Sequence, residues 1–254
     1  NAIAVKDPNG RALELAWTVD DHVASVVDAA RGETYRFAYD AGGRRVEKRG
    51  PSGTSRYFSP LVEVDPAGRL VKHIMAGDRL LAKNDGAVNY FHADVAHATR
   101  LETDANGDVV NSYEYWSSGE PYRISESVDN DIGFSIARTD ESLGLVAMGA
   151  RVYDPVLGRF LSADNVVPDV YRPQSLDRYA YVENDPVNHW DPSGHMKVNV
   201  DVMKERKQSM RNMQVMMEKG ECNNPFVTCE MYWAGVRGAI PTFKKIYVGS
   251  AGEG

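Results

Sequence analysis

Through the first 195 positions apolar and polar residues alternate in short runs, and the runs are separated by one recurring phrase. In TYRFAYD (34–40) Tyr35, Phe37 and Tyr39 share one side of an extended chain, and in NSYEYW (111–116) Tyr113 and Tyr115 do the same, because successive strand side chains point to opposite faces. Between the runs stand DPNGR (7–11), DAGGR (40–44), DPAGR (65–69) and DANGD (104–108). Each phrase reads as a turn: the aspartate side chain caps it, proline presets φ at the next position, and glycine takes the positive φ that other residues avoid. The pattern predicts hairpins. Strand–turn–strand units repeated at irregular spacings of about 12–40 residues fit a β-solenoid or a sheet that spirals into a shell.

After about position 195 the period changes. In VDVMKERKQSMRNMQVMMEK (200–219) Met203, Met210, Met213 and Met217 recur at seven, three and four residues, which predicts a helix started by Asn199 or Asp201 and ended by Gly220. Composition changes at the same place. The 59 residues from 196 carry nine Lys/Arg against six Asp/Glu, both cysteines and seven of the nine methionines, whereas residues 1–195 carry twenty against thirty and eleven of the thirteen tyrosines. A domain boundary is expected there. The net charge of −7 argues against general nucleic-acid binding by the whole chain. There is no apolar run of about 18 residues, and NAIAVKDPNG does not read as a signal peptide. The sequence therefore shows neither a nucleic-acid nor a membrane partner, and its start reads as a cut from a longer chain. Cys222 and Cys229 fit neither a zinc knuckle nor a redox pair.

YRFAYDAGGRRVEK resembles the tyrosine-aspartate repeat of the RHS family, and YFHADVAHATRLETDANGDVVNSYEYWSSGEP (90–121) is similar to the segment before that family's core. LGLVAMGARVYDPVLGRFLSAD (143–164) and LDRYAYVENDPVNHWDPSG (176–194) resemble, nearly position by position, the RHS-associated core of RHS effectors and of the C components of insecticidal toxin complexes. The resemblance implies a mainly β chain in three parts: the last turns of a spiralling β-sheet shell at 1–124, the core at 125–195, and a small α-containing toxin segment at 196–254. It implies a secreted or delivered protein whose partners are an upstream shell, an immunity protein for the tail, and a secretion or toxin-complex delivery apparatus.

The resemblance also implies chemistry. The family's core frees the toxin by aspartyl-type autoproteolysis, directly after an Asp-Pro-Ser-Gly motif and one more residue. Two close carboxyls supply the ionised and protonated forms that peptide hydrolysis needs, an arginine can stabilise charge or hold a carboxylate, and no metal or cofactor is required. Carried over by position, the catalytic aspartate falls on Asp164, its partner on Asp191, the functional arginine on Arg151 and the scissile bond on His195–Met196. Asp154, Pro155 and Gly158 form the first Asp-Pro motif and Pro192 and Gly194 belong to the second. Two positions depart from the family: Asn165 stands where proline usually follows the aspartate, and His195 where leucine usually precedes the cut.

Beside this stands a plainer account, because Asp-x-x-Gly turns the chain at 7, 40, 65 and 104 with no chemistry attached. Two rival functions follow: a non-cleaving β scaffold that binds sugar or protein, and a carrier for a small toxic enzyme at 196–254. DANGD resembles the start of a calcium loop, but Tyr115 stands where the bidentate acid belongs, so a turn is expected. His92 and His97 bracket Asp94, yet a strand there puts them on opposite faces.

Overall fold

A computed structural model describes residues 1–200 apart from 8–9, 78, 127–129, 167–170 and 196, and beyond these only two paired strands at Asn223–Asn224 and Val227–Thr228. Met196, the helix expected over 200–219, and Cys222 and Cys229 lie outside the described residues. The chain divides into two compact units, Asn1–Val200 and Asp201–Gly254.

The first unit is built on one antiparallel sheet of thirteen strands, each paired with its sequence neighbour. They are β1 (Ala4–Lys6), β2 (Ala12–Trp17), β3 (Val23–Asp28), β4 (Glu33–Tyr39), β5 (Arg45–Gly50), β6 (Gly53–Ser59) and β7 (Val62–Val64). Then follow β8 (Leu70–Ala76), β9 (Arg79–Asn84), β10 (Val88–Ala93), β11 (Thr99–Thr103), β12 (Val109–Tyr115) and β13 (Pro121–Glu126). The aspartate phrases make the turns as their chemistry predicts. At Asp40, Oδ1 accepts the amides of Gly42 and Arg44, each at 3.0 Å, and Asp104 does the same for Asn106 at 2.8 Å and Asp108 at 2.9 Å. A turn of the same kind stands at Asp94, where His97 occupies the glycine position with φ of 60°. His97 thus lies off the strands and stacks on Trp190 at 4.0 Å between ring centroids.

A second sheet holds β14 (Arg138–Asp140), β15 (Leu145–Met148), β16 (Arg151–Asp154) and β17 (Arg159–Phe160), and β18 (His189–Trp190) pairs with β19 (Val198–Asn199). The small sheet is apolar on both faces. Leu145 and Val152 pack with Leu13, Leu15, Val23 and Val26 from the start of the large sheet, whereas Val146, Met148 and Tyr153 pack with Ala98 and Tyr115 from its far end. A strand with apolar residues on both faces must be covered on both, so the large sheet curls around the small one and presses opposite ends against it. Each fully buried Leu or Val contributes about 1.5–3 kcal/mol. Ion pairs tie the two sheets as well: Asp140 Oδ2 sits 2.9 Å from Arg45 Nη1 and its Oδ1 2.7 Å from Lys48 Nζ.

Candidate active site

All four residues of β16 are buried. The two-residue strand period sends Val152 and Asp154 to one face and Arg151 and Tyr153 to the other, and the two Asp-Pro motifs part company here. On the first face Asp154 Oδ1 caps its own turn, accepting the amides of Val156 at 3.0 Å and Leu157 at 3.1 Å, and its Oδ2 lies 2.5 Å from Arg11 Nη2. Pro155 and Gly158 complete that turn, with Gly158 at φ of 65°.

On the other face the Arg151 guanidinium lies over the Phe160 ring, 3.6 Å from its centroid. Its edges are all used. Nε donates to the Gly194 carbonyl, Nη1 to the Arg178 carbonyl at 3.1 Å, and Nη2 faces Asp164 Oδ2 at 2.9 Å and Asp191 Oδ2 at 3.7 Å. Asp164 Oδ1 accepts the Val166 amide at 2.9 Å and lies 2.8 Å from His195 Nδ1. Asp191 Oδ1 caps the second motif, accepting the amides of Ser193 at 3.0 Å and Gly194 at 2.8 Å. Arg151, Asp164 and Asp191 are each more than nine-tenths buried. Burial pulls the Arg151 guanidinium below its ordinary value, with Asp164 and Asp191 working the other way. Burial also pushes the Tyr181 hydroxyl, which meets the Asp191 backbone, up to about 12.

The second motif docks closely. The Ala150 amide donates to the Ser193 carbonyl at 3.0 Å. A Cβ at Gly194, whose φ is 80°, would collide with the Met148 carbonyl oxygen and come 3.1 Å from the Arg151 nitrogen. Pro192 is exposed at the tip of this turn. A cavity of about 50 Å³ touches Arg151, Asp164, Asp191 and His195, room for one or two waters at about 30 Å³ each.

Of the residues expected from sequence, Arg151, Asp164, Asp191, Gly194 and His195 come together, and Asp154, Pro155 and Gly158 belong to a separate turn. Three contributors were not anticipated: Phe160 beneath the guanidinium, Gly149 beside the docked turn, and Arg178, which exchanges backbone and side-chain hydrogen bonds with Asp164. Arg178 and Phe160 lie inside the motifs quoted above, but no spacing rule marks them.

The model of the Teneurin YD-shell family matches residues 36–187. The tRNA3(Ser)-specific nuclease WapA of Bacillus spizizenii is 32% identical over 197 residues, 70% of this chain and 8% of that protein. Toxin subunit YenC1 of Yersinia entomophaga is 26% identical over 219 residues, 71% of this chain and 22% of that protein. The crystal structure of TcdB2-TccC3 shares the fold, with a TM-score of 0.60 at 21% identity over 72% of this chain and 10% of that one. The chain thus spans between 8% and 22% of the length of these proteins. The hairpin repeats, the curled sheet around an inner segment, and these likenesses together establish that the chain belongs to the Teneurin YD-shell family, as an RHS-type shell protein with toxins among its relatives.

Proposed function

We propose that the chain is the terminal part of a toxin shell and that its inner segment cuts the chain between His195 and Met196, separating the shell (1–124) and core (125–195) from a toxin segment (196–254). One observation carries this: two buried carboxylates, Asp164 and Asp191, converge on a single arginine nitrogen whose own guanidinium holds the carbonyl one residue before the proposed cut. Paired acids on one arginine also occur at Arg11 and Arg138, but only at Arg151 does the guanidinium also hold a carbonyl next to the proposed cut, with His195 bonded to one of the acids.

In the proposed reaction the pair shares one proton. Asp164 takes a proton from a water in the small cavity, the water oxygen bonds to the His195 carbonyl carbon, and Arg151 stabilises the charge that develops. The carbon–nitrogen bond to Met196 then breaks, and the proton held by Asp191 passes to the Met196 nitrogen. The products are a carboxyl on His195 and an amine on Met196, one water having been consumed. Because enzyme and substrate are one chain, proximity supplies much of the rate and one turnover suffices.

Val198 and Asn199 pair with Trp190 and His189, and Lys197 is bonded to Glu183, so release of the tail must break these contacts as well as the 195–196 bond. The partners in this reading are an upstream shell, an immunity protein for the tail and a delivery apparatus, and the protein acts after secretion or delivery. The test is the state of the 195–196 bond in the purified chain and in an Asp164→Asn variant.

A further inference from the structure

Away from the Arg151 site, the structure brings together three side chains from distant parts of the chain. Glu63 is the middle residue of β7, His73 lies on β8, and Asp131 follows β13 where the chain enters the interior. One ligating atom from each lies within 4.8 Å of the others. The His73 side chain is 2% exposed, yet neither of its ring nitrogens has a hydrogen-bond partner among the described residues. Buried polar groups in native proteins are almost always partnered, so the ring asks for an explanation. Its Nε2 stands 3.7 Å from Glu63 Oε1. That is too far for a hydrogen bond and suits two atoms sharing a metal at about 2.0–2.2 Å from each.

Arg138 fits the same picture. Its Nη1 donates a hydrogen bond to Asp131 Oδ2 and pairs with Glu63 Oε2 by charge, without a hydrogen bond, so each carboxylate turns one oxygen to the guanidinium and keeps the other. Metal-binding carboxylates are commonly held this way, with an outer partner fixing the oxygen that does not ligate. Glu63, Asp131 and Arg138, though not His73, also line a cavity of about 290 Å³, which gives an ion a way in and space for a water as fourth ligand.

We propose that Glu63, His73 and Asp131 form a binding site for a divalent cation of the zinc class, with Arg138 as its outer partner. One imidazole nitrogen and two carboxylate oxygens suit zinc, which takes three protein ligands and a water. The ion would clasp the shell wall, through β7 and β8, to the inner segment, through Asp131. This site is independent of the cleavage chemistry.

The test is zinc content of the whole purified chain after incubation with zinc ions and dialysis, measured by elemental mass spectrometry, with X-ray absorption at the zinc edge. The expected result is one equivalent of zinc with nitrogen and oxygen neighbours and no sulfur, and affinity at least about tenfold weaker in a His73→Phe variant, since outer-shell changes alone cost 10–100-fold. Far-UV circular dichroism establishes that the variant is folded. If it is not, Asp131→Asn takes its place, and the absorption spectrum of the native chain decides independently. Three results overturn the proposal: no zinc retained by the native chain, which leaves Arg138 as the resident cation; sulfur neighbours, which place the zinc on Cys222 and Cys229; or undiminished zinc in the folded variants.

Discussion

The turns at 154–158 and 191–194 begin with the same two residues and do different things. In both, aspartate Oδ1 accepts two amides of its own turn, and in both a glycine takes positive φ. The difference lies in the second oxygen. Asp154 Oδ2 meets Arg11, which also binds Asp7 at 2.9 Å and the carbonyls of Leu143 and Gly144, so this pair fastens the inner sheet to the first hairpin. Asp191 Oδ2 meets Arg151, which already holds Asp164. Each arginine thus serves two acids, and what sets the second turn apart is that both acids face one nitrogen of Arg151 while its Nε holds the Gly194 carbonyl, beside the proposed cut.

Substitutions can break this contrast. The largest expected effect on folding is from Gly194→Ala, because the new Cβ meets rigid backbone at Met148 and the residue must also hold φ of 80°. The expected loss is at least about 3 kcal/mol in urea unfolding, and the undocked turn should not be cut. Next is Asp154→Asn. It keeps the turn but halves a buried ion pair, and is expected to cost about 3 kcal/mol, the low end for such a change since Arg11 retains Asp7. The 195–196 bond should still be cut in the folded molecules, which separates Asp154 from Asp191.

Acid probes the ties between the sheets. Burial would raise the Asp140 carboxyl, but Arg45 and Lys48 outweigh it and hold the group below its ordinary value. A carboxyl lowered in the folded state stabilises the fold above its unfolded value of about 3.9 and loses that contribution as pH falls through the folded value. The urea midpoint should therefore drop as pH goes from about 5 toward 3, and an Asp140→Asn variant should show a shallower drop. The smallest effect is expected of Gly158→Ala. Its φ of 65° disfavours a side chain, but the nearest atom to a Cβ is 3.9 Å away, so the cost is about 1 kcal/mol with cleavage unchanged.

The hairpins were legible because their causes are local: alternation within a strand and four or five residues of turn chemistry. The turn at Asp94 escaped because a histidine stands where glycine marks the others, and the marker rather than the geometry was what the sequence displayed. The site was legible only through family resemblance. Nothing in the spacing of Arg151, Asp164 and Asp191 shows that three segments meet, since the meeting depends on the close approach of Gly149 to Ser193 and on Arg178 bonding back to Asp164. The Arg11–Asp154 pair spans 143 residues, and the trio of Glu63, His73 and Asp131 joins shell to interior. Such contacts come from the curl of the sheet, which no local pattern encodes.

The central claim is that Asp164 and Asp191 work as a pair on the bond after His195. Intact-mass analysis of the purified chain beside Asp164→Asn and Asp191→Asn tests it directly. The expected result is two fragments meeting at His195–Met196 in the native protein, with cleavage slowed about 10²–10⁴-fold in each variant, the usual contribution of a general acid or base. A single 28.1 kDa species in all three, or equal cutting in native and variant chains, would contradict it and leave the second turn with the same structural role as the first.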